Sequence, residues 1–389
     1  MFTETAPAAP PRIVYSRKNP FPAAVARRRL TGAGSEKESF HYEFSLEQSG
    51  LMPEVGDSLG VFPANAPELV EEILALLGFG GDEEVTSSSG AIVSLRAALL
   101  RDRTITTPSR QFVQSVAERI TQARFLLEYC ELAQKAKLDA YLWGRHVVDF
   151  LVEYPELRNK FAPAEFAGLL SKLQPRLYSI ASSLKRYPEA AHLLVTNVQF
   201  VSYGRPRKGV CTSFLSERLE KTTRIPVFVH TAKHFRLPDD PGASVIMIGV
   251  GTGLAPYRAF LQEREAAGAT GKNWLFFGDQ RREFNFYYEQ EWEAMIASGL
   301  LTRMDTAFSR DQAQKIYVQH RMRELGREIW AWLQEGSYLY LCGDAEYMAP
   351  DVDAALRSIA EEHGGMSQEA AVEYFANLRT QKRYRRDVY

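Results

Sequence analysis

Residues 244–249, Ser-Val-Ile-Met-Ile-Gly, are an apolar run of the length and kind that makes a strand buried on both faces. The run ends in Gly249-Val-Gly-Thr-Gly253, and helical periodicity begins at once, from Ala255-Pro256 to Ala267. A buried strand that feeds a glycine turn and then a helix is the opening unit of a doubly wound α/β domain. Glycines let the backbone turn tightly and approach a phosphate, and a helix N-terminus offers free N–H groups and a positive dipole. Position 254 is Leu, so the turn departs from the usual G-x-G-x-x-G spacing. The alternation then continues with strands Trp274–Gly278, Thr302–Phe308 and Tyr338–Cys342. Helices Glu289–Ser298, Gln312–Gly336 in pieces, and Met348–His363 lie between or after them. Residues 238–389 therefore read as one α/β domain with a parallel sheet.

Upstream, the period changes twice. Ser39–Leu46 alternates apolar and polar residues as a strand does, and Gly50, Gly56-Asp57 and Gly60 punctuate the surrounding turns. From Pro67 to Leu77 the period is helical and stops at Gly78, and residues 110–172 are mostly helical as well. Strand patterns return at Leu193–Val201 and Arg224–Val229, with Gly204–Gly209 as a basic turn between strands. The simplest organisation is a β domain made of 12–63 and 171–237 that carries a helical insertion, 64–170, with the Ala- and Pro-rich residues 1–11 as a linker-like start.

A formal net charge of −1 gives no global field for nucleic acid. Cys130, Cys211 and Cys342 are too few and too scattered for a disulfide framework or an iron–sulfur cluster. His230 and His234 are four apart but follow a strand rather than sit on a helix, so no metal is expected there. Met1–Pro11 lacks the basic-then-apolar order of a signal peptide, and no apolar run reaches about 18 residues, so the expected compartment is the cytoplasm.

Four stretches carry candidate chemistry. Pro175 leads into Arg176-Leu-Tyr178-Ser179, a cation, a ring and a hydroxyl suited to a ligand with an anionic and an aromatic end, or to an ordinary edge strand. Gly209-Val-Cys-Thr-Ser213 is a turn into a helix whose amides and Thr212 suit a pyrophosphate, or a plain N-cap. Ser309, Arg310 and Lys315 place a hydroxyl and two cations where a ribose 2′-phosphate would sit, with Tyr317 able to stack on adenine; a solvated basic face is the alternative. Taken by itself, the charged C-terminus Tyr384–Tyr389 reads as frayed.

Taken together and in order, R-L-Y-S-I-A-S-S (176–183), G-V-C-T-S-F-L (209–215), I-G-V-G-T-G-L-A-P (248–256), S-R (309–310), K-I-Y-V-Q (315–319), C-G-D (342–344) and the D-V-Y ending resemble the ferredoxin–NADP reductase module of the diflavin reductases. The nearest likeness is to the flavoprotein subunits of NADPH sulfite reductases, from about Tyr15 to Tyr389. The resemblance implies an antiparallel FAD-binding β-barrel, an inserted helical connecting domain and a doubly wound, parallel-sheet NADP-binding domain. It implies FAD contacts at Arg176, Leu177, Tyr178, Ser179, Leu194, Val195, Thr196, Phe200, Gly209, Val210, Cys211 and Thr212, with Thr106 a looser match. NADPH contacts fall on Gly251, Thr252, Gly253, Ser309, Arg310, Lys315, Tyr317, Gln319 and Asp351, and Tyr389 is the terminal ring that stacks on the flavin.

The implied activity is hydride transfer from NADPH to FAD, with Ser179, Cys342, Asp387 and Tyr389 converging at the flavin ring. Val250 stands where the family commonly has proline, and the FMN-binding flavodoxin domain that precedes this module in diflavin reductases is not recognised in the chain. Electrons are therefore expected to pass to a separate partner, a flavodoxin, a ferredoxin or a sulfite reductase haemoprotein. A ferredoxin or flavodoxin reductase outside sulfur metabolism, or a redox-inactive assembly subunit, are the other readings.

Overall fold

The computed structural model describes residues 14–220 and 222–389; the linker-like start, 1–11, lies outside them. The strands are β1 (Phe21–Arg29), β2 (Ser39–Ser45), β3 (Ser58–Val61), β4 (Glu84–Thr86), β5 (Ile92–Ser94), β6 (Arg176–Ser179), β7 (Ala190–Thr196) and β8 (Gln199–Ser202). They continue as β9 (Arg205–Lys208), β10 (Arg224–His230), β11 (Val245–Val250), β12 (Asn273–Asp279), β13 (Arg303–Phe308), β14 (Tyr338–Gly343) and β15 (Tyr384–Val388). The described residues form two compact units: 14–60, 177–196 and 224–389 in one, 61–176, 197–220 and 222–223 in the other.

The first unit holds two sheets. One has the order β6-β3-β10-β1-β2-β7, with β1 antiparallel to β10 and β2, and β2 antiparallel to β7. An antiparallel bridge between Ile180 and Leu193 joins its two ends, so the sheet closes on itself as a barrel. The other is parallel throughout, in the order β13-β12-β11-β14-β15. Its central strands are apolar along their length because helices cover both faces, and Ile246, Ile248, Trp274 and Phe276 pack on one side while Met247, Leu275 and Phe277 pack on the other. This is the doubly wound domain that the apolar run and glycine turn predict.

Helix Ala255–Ala266, which follows that turn, ties the barrel to the parallel sheet through Arg258. Its guanidinium is buried, donates to Ala181 O at 2.8 Å, pairs with Glu291 at 2.7 Å and lies 3.4 Å from His192 Nδ1. His41 packs edge-on against His192, and its Nδ1 is 2.9 Å from the Tyr288 hydroxyl. Burial, then neighbouring cationic groups, lower His41 from 6.5 to about 3, and burial with Arg258 lowers His192 from 6.5 to about 4. His41, Glu43 and His192 bring three possible metal ligands within 4.8 Å of one another, but the Arg258 charge beside them opposes a bound cation.

The second unit is a helical block around Phe112, Phe150 and Phe166. Helix Pro67–Leu77 has the predicted bounds: Pro stands in its first turn, Gly78 closes it at φ 78°, and Val70, Ile73, Leu74 and Leu77 form its buried stripe. Residues 197–223 belong to this unit, whereas the sequence reading joins them to the barrel segment 171–237. The reason is a buried ion pair between Arg207 and Asp149 at 2.6 Å, with Ser202 donating to Gly144 O at 2.6 Å and Arg205 reaching Glu72 at 3.2 Å. The expected strand Leu193–Val201 is consequently broken into β7 and β8. The expected basic turn Gly204–Gly209 is instead strand β9, because the reversal is made by Tyr203 and Gly204 at φ 49° and 67°.

The C-terminus is not frayed. It forms β15, parallel to β14, with Asp387 opposite Cys342 and Val388 opposite Gly343. Helix Gln368–Thr380, which buries Ala371, Phe375 and Leu378 ahead of it, is not among the elements that the periodicity picks out. Among the described residues, no helix is long and apolar enough to cross a membrane.

Candidate active site

Ser179 ends β6, Cys342 lies near the end of β14, and Asp387 faces it from β15. The Ser179 hydroxyl donates to Asp387 Oδ2 at 2.7 Å, and the Cys342 thiol lies 3.9 Å from the same oxygen. Burial pushes the Cys342 thiol well above its usual range, and the Asp387 charge pushes it further, so it stays protonated. Tyr389 completes the group. Its N–H donates to Gly343 O at 3.1 Å, its carbonyl accepts from Ala345 N at 3.1 Å, and its hydroxyl is 2.9 Å from Thr252 Oγ1. The residue as a whole is 64% exposed, held at its main chain and at its hydroxyl. The four residues that the resemblance assigns to hydride transfer thus meet at one place in the first unit.

Thr252 belongs to the glycine turn, whose residues Gly251–Leu254 form a short 3₁₀ segment before the helix at Ala255. Gly251 adopts φ 58°, which a side chain disfavours. Gly253 is required for a different reason: a Cβ there would lie 2.2 Å from Cys342 O, so the turn packs directly on the end of β14. Close packing between turn and strand, rather than reach toward a phosphate, accounts for this third glycine.

A 440 Å³ cleft opens at the carboxyl ends of these strands. Ser309, Tyr317, Gln319 and Asp351 line it, and Gln319 Nε2 donates to Asp351 Oδ2 at 2.9 Å. Arg310 and Lys315 are not in its wall; Lys315 is exposed, and Arg310 pairs with Glu36 on the connection between β1 and β2. Lys37, Asp279 and Gln280 also line the cleft and are absent from the sequence-derived set. The Asp279 side chain is fully buried, with Oδ1 on Lys37 at 3.0 Å and Oδ2 without a hydrogen-bond partner. The signal for Asp279 was its place at the carboxyl end of the strand after the glycine turn, opposite Phe308, the residue before Ser309.

The expected flavin contacts occur in both units. In the first, Leu177 is exposed and Tyr178 half-buried on β6, whose exposed first residue, Arg176, is counted in the second. Leu194 and Val195 are core side chains on β7, so only their backbone is available to a ligand, and Thr196 Oγ1 is 2.7 Å from Ser39 Oγ. In the second unit, Gly209 is the N-cap of helix Val210–Glu217 and no side chain caps its first-turn amides. Thr212 is not a cap: its Oγ1 accepts from Val198 N at 3.2 Å. An uncapped helix start fits an anion such as a pyrophosphate. Cys211 is buried and forms no disulfide. Phe200 and Thr106 share a 580 Å³ cavity, and Thr106 with Val210 lines a neighbouring 750 Å³ cavity.

Residues 14–214 match the FAD binding domain family, and residues 247–354 match the oxidoreductase NAD-binding domain family. The chain is 45% identical over 377 residues to the sulfite reductase [NADPH] flavoprotein alpha-component of Bacillus subtilis (strain 168), covering 96% of this chain and 62% of that protein. It is 45% identical over 381 residues to the protein of the same name from Cronobacter sakazakii, with the same coverages. For the Vibrio vulnificus protein of that name the identity is 43%, over 97% of this chain and 60% of the relative. The chain thus spans about three-fifths of the length of these curated relatives.

Proposed function

The chain belongs to the FAD-binding domain family, and from that premise we propose that it is an NADPH-dependent flavin reductase of the sulfite reductase flavoprotein type. The observation that carries this reading is the meeting of Ser179, Asp387, Cys342 and Tyr389 beside the glycine turn. In this reading 14–60, 177–196 and 224–237 make the FAD-binding barrel, the helical unit that also holds 197–220 is the connecting domain, and 238–389 make the NADP-binding domain. FAD contacts are assigned to Leu177, Tyr178, Ser179 and the β7 backbone at Leu194–Thr196 in the first unit and, in the second, to Arg176, Phe200, Thr106 and the Gly209–Thr212 turn. The nucleotide takes the 440 Å³ cleft, with Gly251 and Thr252 toward its diphosphate, Ser309, Arg310 and Lys315 toward its 2′-phosphate, Tyr317 toward its adenine and Gln319 and Asp351 in the wall.

Bound FAD would accept a hydride from the nicotinamide and release electrons singly. The chain's own groups prepare that exchange. Asp387 fixes the direction of the Ser179 hydroxyl and places a negative charge at the end of β14. Cys342, held as a neutral thiol, lines the same place with a soft, weakly polar surface. Tyr389 can swing its ring by giving up a single hydroxyl bond to Thr252, because its main chain stays paired. The electrons pass to a separate redox partner; a sulfite reductase haemoprotein is favoured by the relatives' name, with flavodoxin and ferredoxin as other acceptors. Three cysteines that form no disulfide fit a reducing compartment, the cytoplasm.

The test is direct. The purified chain takes up FAD, and NADPH bleaches its flavin absorbance without oxygen; a chain that binds no FAD overturns the proposal. NADPH oxidation measured against sulfite reductase haemoprotein, flavodoxin and ferredoxin then identifies the acceptor.

A further inference from the structure

The segment 30–38 between β1 and β2 projects from the barrel onto the parallel-sheet domain of the same unit. Three contacts anchor it. Gly34 sits against the Phe284 ring so closely that a Cβ would lie 2.7 Å from it. Asn285 Nδ2 donates to Ser35 Oγ at 3.1 Å, and Lys37 Nζ donates to the buried Asp279 Oδ1 at 3.0 Å. Glu36 lies between the last two anchors, and its carboxylate accepts from the Arg310 guanidinium.

The neighbouring pairs differ in kind. Asp279 is fully buried, whereas the Glu36 and Arg310 side chains are 61% and 38% exposed. The Arg310 main chain is fixed on both sides: its N–H donates to Gln280 O at 2.8 Å, and its carbonyl accepts from Arg281 NH1 at 2.8 Å. So the backbone under the guanidinium is rigid, the segment bearing Glu36 is pinned by neighbours, and the Glu36–Arg310 pair is solvated and exchangeable.

A carboxylate resting on a guanidinium occupies the seat that a phosphate monoester would take, and the phosphate brings more charge and three acceptor oxygens. We infer that Glu36 is a built-in competitor for the 2′-phosphate of the nucleotide, holding Arg310 when the cleft is free and yielding it when NADPH or NADP⁺ arrives. This rests on the nucleotide reading of the Ser309–Gln319 loop given above. Glu36 thereby restrains the affinity of both 2′-phosphorylated forms and eases release of the oxidised one. A nucleotide without the 2′-phosphate does not have to displace it.

Calorimetric titration of the FAD-loaded chain with 2′,5′-ADP and 5′-AMP at low salt, for wild type, Glu36→Gln, Arg310→Ala and the double variant, tests this. Glu36→Gln is expected to tighten 2′,5′-ADP about two- to fivefold and to leave 5′-AMP unchanged. Arg310→Ala weakens 2′,5′-ADP, and in that background Glu36→Gln adds nothing. If Glu36→Gln fails to tighten 2′,5′-ADP, tightens 5′-AMP equally, or acts equally without Arg310, the competitor role is overturned while the nucleotide reading stands. If Arg310→Ala does not weaken 2′,5′-ADP relative to 5′-AMP, the nucleotide reading falls and the competitor role falls with it.

Discussion

The ends of β14 and β13 carry their chemistry in opposite ways. At β14, Cys342 meets Asp387 across a strand pair, Ser179 reaches the same Asp387 from 208 residues away in sequence, and the thiol is wholly buried. At β13, Ser309, Arg310, Lys315 and Tyr317 follow one another along a single, largely exposed loop. The first arrangement is set by sheet register, so each group is held by structure formed elsewhere. The second is set by local chain order and holds its ligand through solvated charge. The difference teaches where each kind of damage should appear: in the rate of the chemical step at β14, in nucleotide selectivity at β13.

The largest effect is expected from Asp387→Asn, which keeps the shape and removes the charge that orients Ser179. Flavin reduction by NADPH, followed anaerobically by stopped flow, should slow about a hundredfold with FAD content unchanged. An unchanged rate would mean that the buried cluster is structural only, and the comparison would lose its first half. Next comes Arg310→Ala. Loss of a charge-assisted bond of about 1.5–3 kcal/mol should weaken NADPH roughly ten- to hundredfold. NADH should be little affected, and the limiting rate of flavin reduction at saturating NADPH preserved. Equal losses for both nucleotides would remove the 2′-phosphate assignment.

Burial also makes the first unit sensitive to acid in a way that the exposed loop is not. His41 and His192, lowered to about 3 and about 4, stay neutral in the fold but titrate near 6.5 once unfolded. Between 6.5 and about 4 the unfolded chain therefore binds protons that the folded chain refuses. Stability is complete above 6.5 and falls as the pH drops through that window. Each histidine should cost about 2 kcal/mol between pH 7.5 and pH 5, seen as a lower urea midpoint. His192→Gln should reduce the loss by its own share, while His146 in the helical unit, lowered to about 4, supplies a background common to both proteins. Equal midpoints at the two pH values would contradict the buried, uncharged state.

The same contrast explains what the sequence made readable. The parallel sheet, the glycine turn, the bounds of helix Pro67–Leu77 and the Ser309–Tyr317 loop depend on neighbours in the chain, and periodicity and composition expose them. The membership of 197–223 in the helical unit depends on Arg207 finding Asp149 across 58 residues, which no local pattern encodes. Lys37 and Glu36 escaped for the same reason, since their partners Asp279 and Arg310 lie far along the chain. Ser179, Cys342, Asp387 and Tyr389 could be grouped only through the likeness of several motifs in order, because each is unremarkable in its own segment.

Tyr389 stands between the two regions and gives the smallest but most discriminating effect. Read locally, a charged terminus frays; β15 pairing fixes its backbone, yet the residue remains exposed and is tied to Thr252 through its hydroxyl. If the ring must swing to admit a nicotinamide, opening breaks one exposed hydrogen bond, a net cost of about 0.5–1.5 kcal/mol. Tyr389→Phe removes that bond and keeps the ring, so it should raise NADH turnover relative to NADPH by about two- to fivefold. Tyr389→Ala removes the ring as well and should go further in the same direction, because entry then no longer depends on the tight 2′-phosphate contact at Arg310 to drive the opening. The ratio of kcat/KM for NADH and NADPH across the three proteins orders these steps. Identical ratios would show that β15 ends in a structural residue, and that selectivity resides wholly in the exposed loop after β13.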